Sequence, residues 1–214
     1  MNKVIGKCII AALSVIIVGI GASLSLKAAV GVSAWSALSQ SIATGINIKV
    51  GTISMLQNIS CVLIQLILLK KEFKVVHSLQ VLVSVLLGLI VNFMLYDVLS
   101  SVIINNYFIN VLLILLGTLL CVVGVSVLMV IDFISFPLEA CCMVISKKIN
   151  IKFGIIRQFV DILSIVFALG IAFIFKESIT VREGTIIAMI IFGPMVDLFM
   201  KIIMPRLKKL ELAY

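Results

Sequence analysis

The fold is decided by residues 136–161, which read FPLEACCMVISKKINIKFGIIRQFVD. Inside this stretch the string INIKFG at 149–154 repeats, with one difference, the string INIKVG at 46–51, which lies 103 residues earlier in a chain of 214. Chance matching is a poor account of an Asn-Ile-Lys-x-Gly string that recurs at the same place in the hydropathy pattern. We therefore predict two copies of one structural unit, over about residues 5–100 and 108–205.

The repeat register extends on both sides of this string. With the same offset, small and polar residues of the first unit match their equivalents in the second: Gly21 with Gly124, Ser23 with Ser126, and Asn58 with Asp161. A slip of two residues then places Gly88 and Asn92 on Gly193 and Asp197. The two units share a frame and differ in their polar residues.

The composition is that of a protein embedded in a lipid bilayer. Apolar residues make up 63% of the chain and charged residues 12%, whereas soluble domains are closer to half and a quarter. Crossing the hydrocarbon layer takes about 20 apolar residues, and six runs are long enough, at about 8–28, 51–69, 76–98, 109–131, 153–175 and 184–204. The first run follows Lys3 and Lys7 as in a signal peptide, but it continues to Leu26, so we predict a retained first span.

Two further segments, at about 31–45 and 136–148, are too short and too polar to cross the membrane. We predict that each is a re-entrant helix, which leaves three spans per unit and inverts the second unit. The lysine and arginine count supports this topology, with twelve on the inner face and four on the outer face. If both short segments crossed, the count would be ten against six. The predicted fold is all-α: six transmembrane helices and two re-entrant helices, as two inverted three-span repeats in a single membrane domain with both termini cytoplasmic.

Charged residues inside apolar segments mark the candidate site, because a charge within a span costs at least about 2.5 kcal/mol and usually faces protein or a water-filled cavity. Arg157 and Asp161 lie one helical turn apart, Glu139 stands near the start of the second short segment, and Asp197 lies in the inner part of the last span. These residues either line a substrate or proton path, or form a structural clasp around Arg157. With three carboxylates and one arginine, we expect at least one carboxylate to be protonated.

The equivalent positions of the first unit are neutral, namely Ser36, Asn58 and Asn92. We predict that they belong to the same path and lie in the outer half of the membrane. The polar content of the path therefore differs between its two halves.

Two prolines and a tryptophan carry local predictions. Pro194 beside Gly193 removes one hydrogen bond inside the last span and predicts a bend, either a hinge or a static one. Pro205 is expected to end that helix. Trp35, the single tryptophan, is interpreted as an interfacial anchor.

The sequence does not support an enzyme, because paired histidines, a nucleophile elbow, a P-loop and metal-ligand spacing are all missing from it. His77 is the single histidine, and the five cysteines lie in apolar runs without a Cys-x-x-Cys pair. We therefore predict no metal and no cofactor. The net charge of +8 comes from lysines at span ends rather than a basic stripe with interleaved aromatics, so we expect no nucleic-acid binding.

The short motifs resemble those of a known family. Gly31-x-Ser33-x-Trp35 follows the first span, and the second half contains Pro137-Leu138-Glu139, Arg157 four residues before Asp161, Gly184-Thr185 and Gly193-Pro194. In these motifs the chain resembles the YczE/YitT-type group of small bacterial integral membrane proteins, from about Gly19 to Met200. It departs from the group's pattern around the tryptophan, where Ala34 and Ser36 replace the usual Pro and Asp. The resemblance implies a multi-pass protein of the bacterial plasma membrane and carries no settled molecular activity.

Two functional hypotheses are compatible with these features. The first is a small secondary transporter or permease for a small molecule or ion, because inverted repeats with short helices are a common build of such proteins. The alternative is a non-transporting adaptor or assembly partner for another membrane protein. It would dock through a small-residue face such as that of Gly117 and Gly124. A homo-oligomer is compatible with either hypothesis.

Overall fold

The structure is a computed structural model, and it describes residues 3–209. The side chains of Lys3, Arg206, Lys208 and Lys209, which contribute to the lysine and arginine count, lie outside that description. The described chain is helical, with bounds α1 Lys3–Ala28, α2 Ala34–Gly45, α3 Val50–Leu69, α4 Val75–Phe93, α5 Tyr107–Ile131, α6 Pro137–Ile149, α7 Phe153–Phe175 and α8 Glu183–Lys209. All but α2 and α6 are long and apolar enough to cross a membrane, so the six predicted spans are confirmed as candidates by length and composition.

Two expectations about helix ends need correction. The last helix does not end at Pro205 but continues to Lys209, because a proline removes only one backbone donor and need not stop a helix near its end. Residues 94–98, predicted to lie in an ordinary span, form a π turn after α4.

The repeated hexapeptide forms the same turn at both of its positions. Asn47 and Asn150 both have φ of 55°, the left-handed conformation that asparagine tolerates at helix ends. The next residue then bonds back five positions, with Ile48 N–H to Ala43 O at 2.9 Å and Ile151 N–H to Ser146 O at 3.1 Å. The turn ends α2 and α6 and redirects the chain into α3 and α7.

The helix contacts follow a reciprocal pattern. The most extensive contact joins α1 to α5; α2 packs on α7 and α3, while α6 packs on α3 and α7. Thus each short helix contacts the long helix that follows the other short helix. The pattern breaks at one place: α3 packs along α4, whereas α7 barely contacts α8, which lies mainly on α5.

Small residues allow α1 and α5 to approach closely. A Cβ added at Gly21 would lie 2.6 Å from the carbonyl oxygen of Gly117, and one added at Gly117 would lie 2.5 Å from the carbonyl oxygen of Gly21. Gly124 likewise faces Val18 and Ser14 of α1. The face suggested for docking an external partner is therefore filled by the protein's own first helix.

We expect Gly117→Leu to destabilise the fold, because the new side chain would meet backbone atoms of α1 that cannot move aside. Overpacking typically costs about 1–3 kcal/mol. We expect a loss of about 3 kcal/mol here, because the atoms in the way belong to the backbone. The measurement is thermal unfolding of the purified protein in mild detergent. Gly170→Leu is the matched control, since no atom lies within 4 Å of a Cβ there; an equal loss in both variants would contradict the close α1–α5 contact.

Candidate functional site

The two short helices begin at one central cavity of about 110 Å³. Ser33 accepts a hydrogen bond from Ser36 N–H at 3.3 Å and so caps the start of α2. Pro137 occupies the first turn of α6, where a missing N–H does no harm. The polar and aromatic side chains on the cavity wall come from α1, α2 and the residue before it, α3, α5, α6 and the residue before it, α7 and α8: Ser25, Ser33, Trp35, Ser36, Ser54, Asn58, Thr118, Phe136, Glu139, Arg157 and Phe192.

The guanidinium of Arg157, on the cavity wall, forms ion pairs with two carboxylates. Arg157 donates to Asp161 along α7, and its Nε lies 3.9 Å from the nearer carboxylate oxygen of Glu139 on α6. Glu139 and Asp161 are 9% and 8% exposed, so neither carboxylate has much access to solvent. The guanidinium also lies 6.0 Å from the ring centre of Phe192, which covers it from α8. Since two carboxylates exceed one guanidinium by one charge, burial favours a proton on one of them.

Glu139 also reaches a second and larger space. A vestibule of about 1040 Å³ is lined by the end of α3, the start of α4, the end of α5 and α6. Lys70, Lys74, Lys147 and Lys148 are among its lining residues. Of the residues that line the vestibule and the central cavity, Glu139 is common to both. The carboxylate therefore stands where the two spaces meet.

The other end of the molecule is held together by hydrogen bonds that join α2 and the chain before it to the α7–α8 connection and the start of α8. The hydroxyls of Ser41 and Thr180 lie 2.6 Å apart, and Val32 N–H donates to Thr185 Oγ1 at 3.2 Å. Gly31 has φ of +131°, and a Cβ there would lie 2.5 Å from Thr185 N. These contacts tie α2 to the chain around the start of α8 on the face predicted to be outer.

The structure brings together most of the predicted site residues. Ser36 and Asn58 line the same cavity as Glu139 and Arg157, and their placement in the outer half of the membrane stays a prediction. Asn92 lies elsewhere, with its side chain bonded to Gly51 N–H and to Thr52.

The predicted residues of the last span lie outside the cluster. Asp197 is exposed on α8, apart from the ion pairs of Arg157, and it does not line the cavity. Gly193 and Pro194 are exposed too, and α8 continues through Pro194 as one helix.

Sequence reasoning missed two residues. Trp35 was expected at the membrane interface, but it lines the cavity, and its indole N–H is buried without a hydrogen-bond partner in residues 3–209. Gln65 is fully buried, and its amide donates to Gln80 at 2.8 Å and to the carbonyl of Pro137 at 3.2 Å. A glutamine inside an apolar span was a readable signal, by the same cost argument that singled out Arg157.

Comparison with known proteins gives one match. The profile of a family described as "Family of unknown function (DUF6198)" matches residues 5–201, and the chain belongs to that family. No curated protein and no solved structure matches the chain. The family membership agrees with a multi-pass membrane protein and does not confirm the YczE/YitT assignment.

We expect Arg157→Gln to destabilise the protein by about 3–5 kcal/mol near neutral pH, since it leaves a buried carboxylate of the Glu139 and Asp161 pair without its cation. The loss should shrink as pH falls, because protonation removes the unpaired charge. The measurement is thermal unfolding between about pH 5 and pH 8, the range in which such proton uptake is resolved. Adding Asp161→Asn should recover part of the stability, and an additive loss in the double variant would contradict the shared ion pair.

Proposed function

We propose that this DUF6198 member is a small secondary transporter whose substrate site is the central cavity. The observation that carries the proposal is the lining of that cavity. Ser36 and Asn58 from the first half share it with Glu139 and Arg157 from the second half. Sites of secondary transporters commonly lie at the interface between inverted repeats.

The proposal includes the inverted repeats and re-entrant helices predicted from the sequence. The reciprocal contacts of α2 with α7 and of α6 with α3 support it, and so does the shared asparagine turn at residues 47 and 150. On the predicted topology the vestibule opens to the cytoplasm, so this conformation faces inward. The related proposal of kinship with the YczE/YitT-type group rests on the motifs alone.

Glu139 is the proposed coupling residue. It is buried, it lies 3.9 Å from Arg157, and it is the side chain that the vestibule and cavity share. When protonated it leaves the Arg157–Asp161 pair neutral, and when ionised it adds one negative charge to the cavity. A proton on Glu139 would thus be exchanged for a small cation, or carried along with a small polar solute of a size that about 110 Å³ accepts. Asp161, held along one face of α7 by Arg157, serves as the structural clasp.

The adaptor hypothesis has less support. Its distinguishing feature was an open small-residue face around Gly117 and Gly124, and α1 occupies that face. A homo-oligomer or a membrane partner stays a prediction that is independent of this face.

Ligand binding and flux provide the test. The full chain, purified in lipid nanodiscs, is screened for thermal stabilisation by small metabolites and ions across pH. A ligand at about one hundred times its dissociation constant adds about 2.7 kcal/mol of stability. We expect Glu139→Gln to remain folded and to lose the pH dependence of ligand binding, together with proton-coupled uptake in liposomes. Asp97→Asn, at an exposed carboxylate of the π turn, is the matched control and should leave both unchanged.

Two outcomes would count against the proposal. Uptake that is unchanged in Glu139→Gln would remove this carboxylate from the mechanism. No stabilising ligand and no flux, combined with loss of folding in both Glu139→Gln and Arg157→Gln, would make the cluster a structural clasp only.

A further inference from the structure

Helices α3 and α4 are held together by a contact that needs glycine on both sides. A Cβ added at Gly88 would lie 2.5 Å from the carbonyl oxygen of Gly51, and Gly51 in turn faces the carbonyl oxygen of Gly88. The two backbones therefore touch near the start of α3. On the predicted topology this contact lies on the outer face.

Hydrogen bonds from one amide lock this contact. Asn92 Oδ1 accepts the Gly51 N–H at 2.9 Å, and Asn92 Nδ2 donates to Thr52 Oγ1 at 3.0 Å. The Tyr96 hydroxyl accepts the neighbouring Val50 N–H at 3.1 Å. These bonds satisfy first-turn donors of α3 that no helical carbonyl can reach. We call Gly51, Gly88 and Asn92 the first latch.

The repeat register puts the same kind of residues in α7 and α8. Gly154 occupies the place of Gly51, Gly193 that of Gly88, and Asp197 that of Asn92. We call these three residues the second latch. On the predicted topology they lie on the opposite face of the membrane from the first latch, on the side where the vestibule opens.

In this structure the second latch is open. No atom lies within 4 Å of a Cβ added at Gly154 or at Gly193, Asp197 is exposed, and α7 barely contacts α8. The Gly154 N–H lacks a hydrogen-bond partner within the described chain. The same three positions are thus tightly joined in one half and separated in the other.

We propose that the protein has a second state in which α7 and α8 close through Gly154 and Gly193, Asp197 accepts the Gly154 N–H, and the first latch opens. In that state α8 itself fills the space that now separates it from α7. The inference rests on the repeat alignment used in the proposed function and deepens it, since exchanging the two latches would turn an inward-facing cavity into an outward-facing one.

The chemistry of Asp197 suits this role. Carboxylates are favourable near helix N-termini, where first-turn N–H groups are free. In the first latch the amide of Asn92 also donates to Thr52, but the equivalent residue after Gly154 is Ile155, which has no hydroxyl to accept that bond. An acceptor-only side chain therefore fits the second latch better than an amide. Closure would also remove a carboxylate from an exposed position on a membrane helix, where it is costly.

The test is a distance measurement across the second latch. Spin labels are attached at Lys152→Cys and Lys201→Cys, near the start of α7 and the inner end of α8, with exposed Cys8 replaced by serine. Double electron–electron resonance in nanodiscs then gives the distance distribution. We expect a long distance for the open second latch and a shorter one in a second population.

Variants should move these populations in opposite directions. Asn92→Ala removes two hydrogen bonds from the first latch and should raise the ratio of short to long distances about tenfold, as expected from the usual net contribution of such bonds. Gly193→Val should abolish the short population, because its methyl groups would stand between the helices. Gly170→Val is the matched control: its surroundings are equally open, and its counterpart in the first half is the bulky Ile67. It should leave the distribution unchanged.

Identical distributions in the parent protein, Asn92→Ala and Gly193→Val would overturn the proposal. So would short distances in protein labelled at Lys152→Cys alone, because they would come from a second copy lying in the cleft. The readout is separate from transport. Distances that shift in a protein with no ligand and no flux would refute the transporter but support the exchange of latches. Flux with a constant distance would support the transporter but refute the exchange.

Discussion

A helix that begins inside a protein has first-turn N–H groups that water cannot reach. The packing around the two short helices supplies partners for these groups or reduces their number. Helices α2 and α6 both begin at the central cavity. Ser33 caps α2, Thr185 of α8 accepts the Val32 N–H just before it, and Pro137 gives α6 a first turn with one donor fewer. Gln65, buried in α3, bonds the carbonyl of Pro137 and so fixes where α6 starts. The polar cavity is thus a consequence of how two short helices are supported.

The two halves share a turn and the contacts of their short helices, and they differ in one contact between long helices. The asparagine turn is the same in both, and the short helices make equivalent contacts. The difference lies in the pair of long helices after each turn. In the first half the glycines of α3 and α4 meet and Asn92 closes the contact, whereas in the second half the equivalent glycines are apart. A repeated sequence pattern therefore coexists with an asymmetric structure, and this asymmetry is what the proposed exchange of latches would reverse.

Much of the fold was predictable because the spans are governed by hydrophobic length. The predicted fifth span, 153–175, covers the same residues as α7; the first span begins earlier than predicted, because a helix does not stop at Lys7 merely because it is charged. The composition of the cavity was less accessible. Spacing along the chain did not tell that Ser36, Asn58 and Glu139, which come from three different helices, would line one cavity. The orientation of Asp197 was also hidden, since nothing in the apolar pattern of α8 tells which side faces α7.

The geometry of the ion pairs separates the roles of the two acids. Arg157 and Asp161 belong to the same helix and lie one turn apart, so their contact is kept whenever α7 moves as a unit. The contact of Arg157 with Glu139 joins α7 to α6 across 3.9 Å, and it changes with any displacement between those helices. Glu139 also borders the open vestibule, whereas Asp161 does not line it. A proton reaching the site from that side would meet Glu139 first, and its charge would then decide how strongly α6 is drawn to α7. The local pair keeps the arginine in place. In the proposed transporter, the pair between helices is the one that responds to a proton or solute entering the cavity.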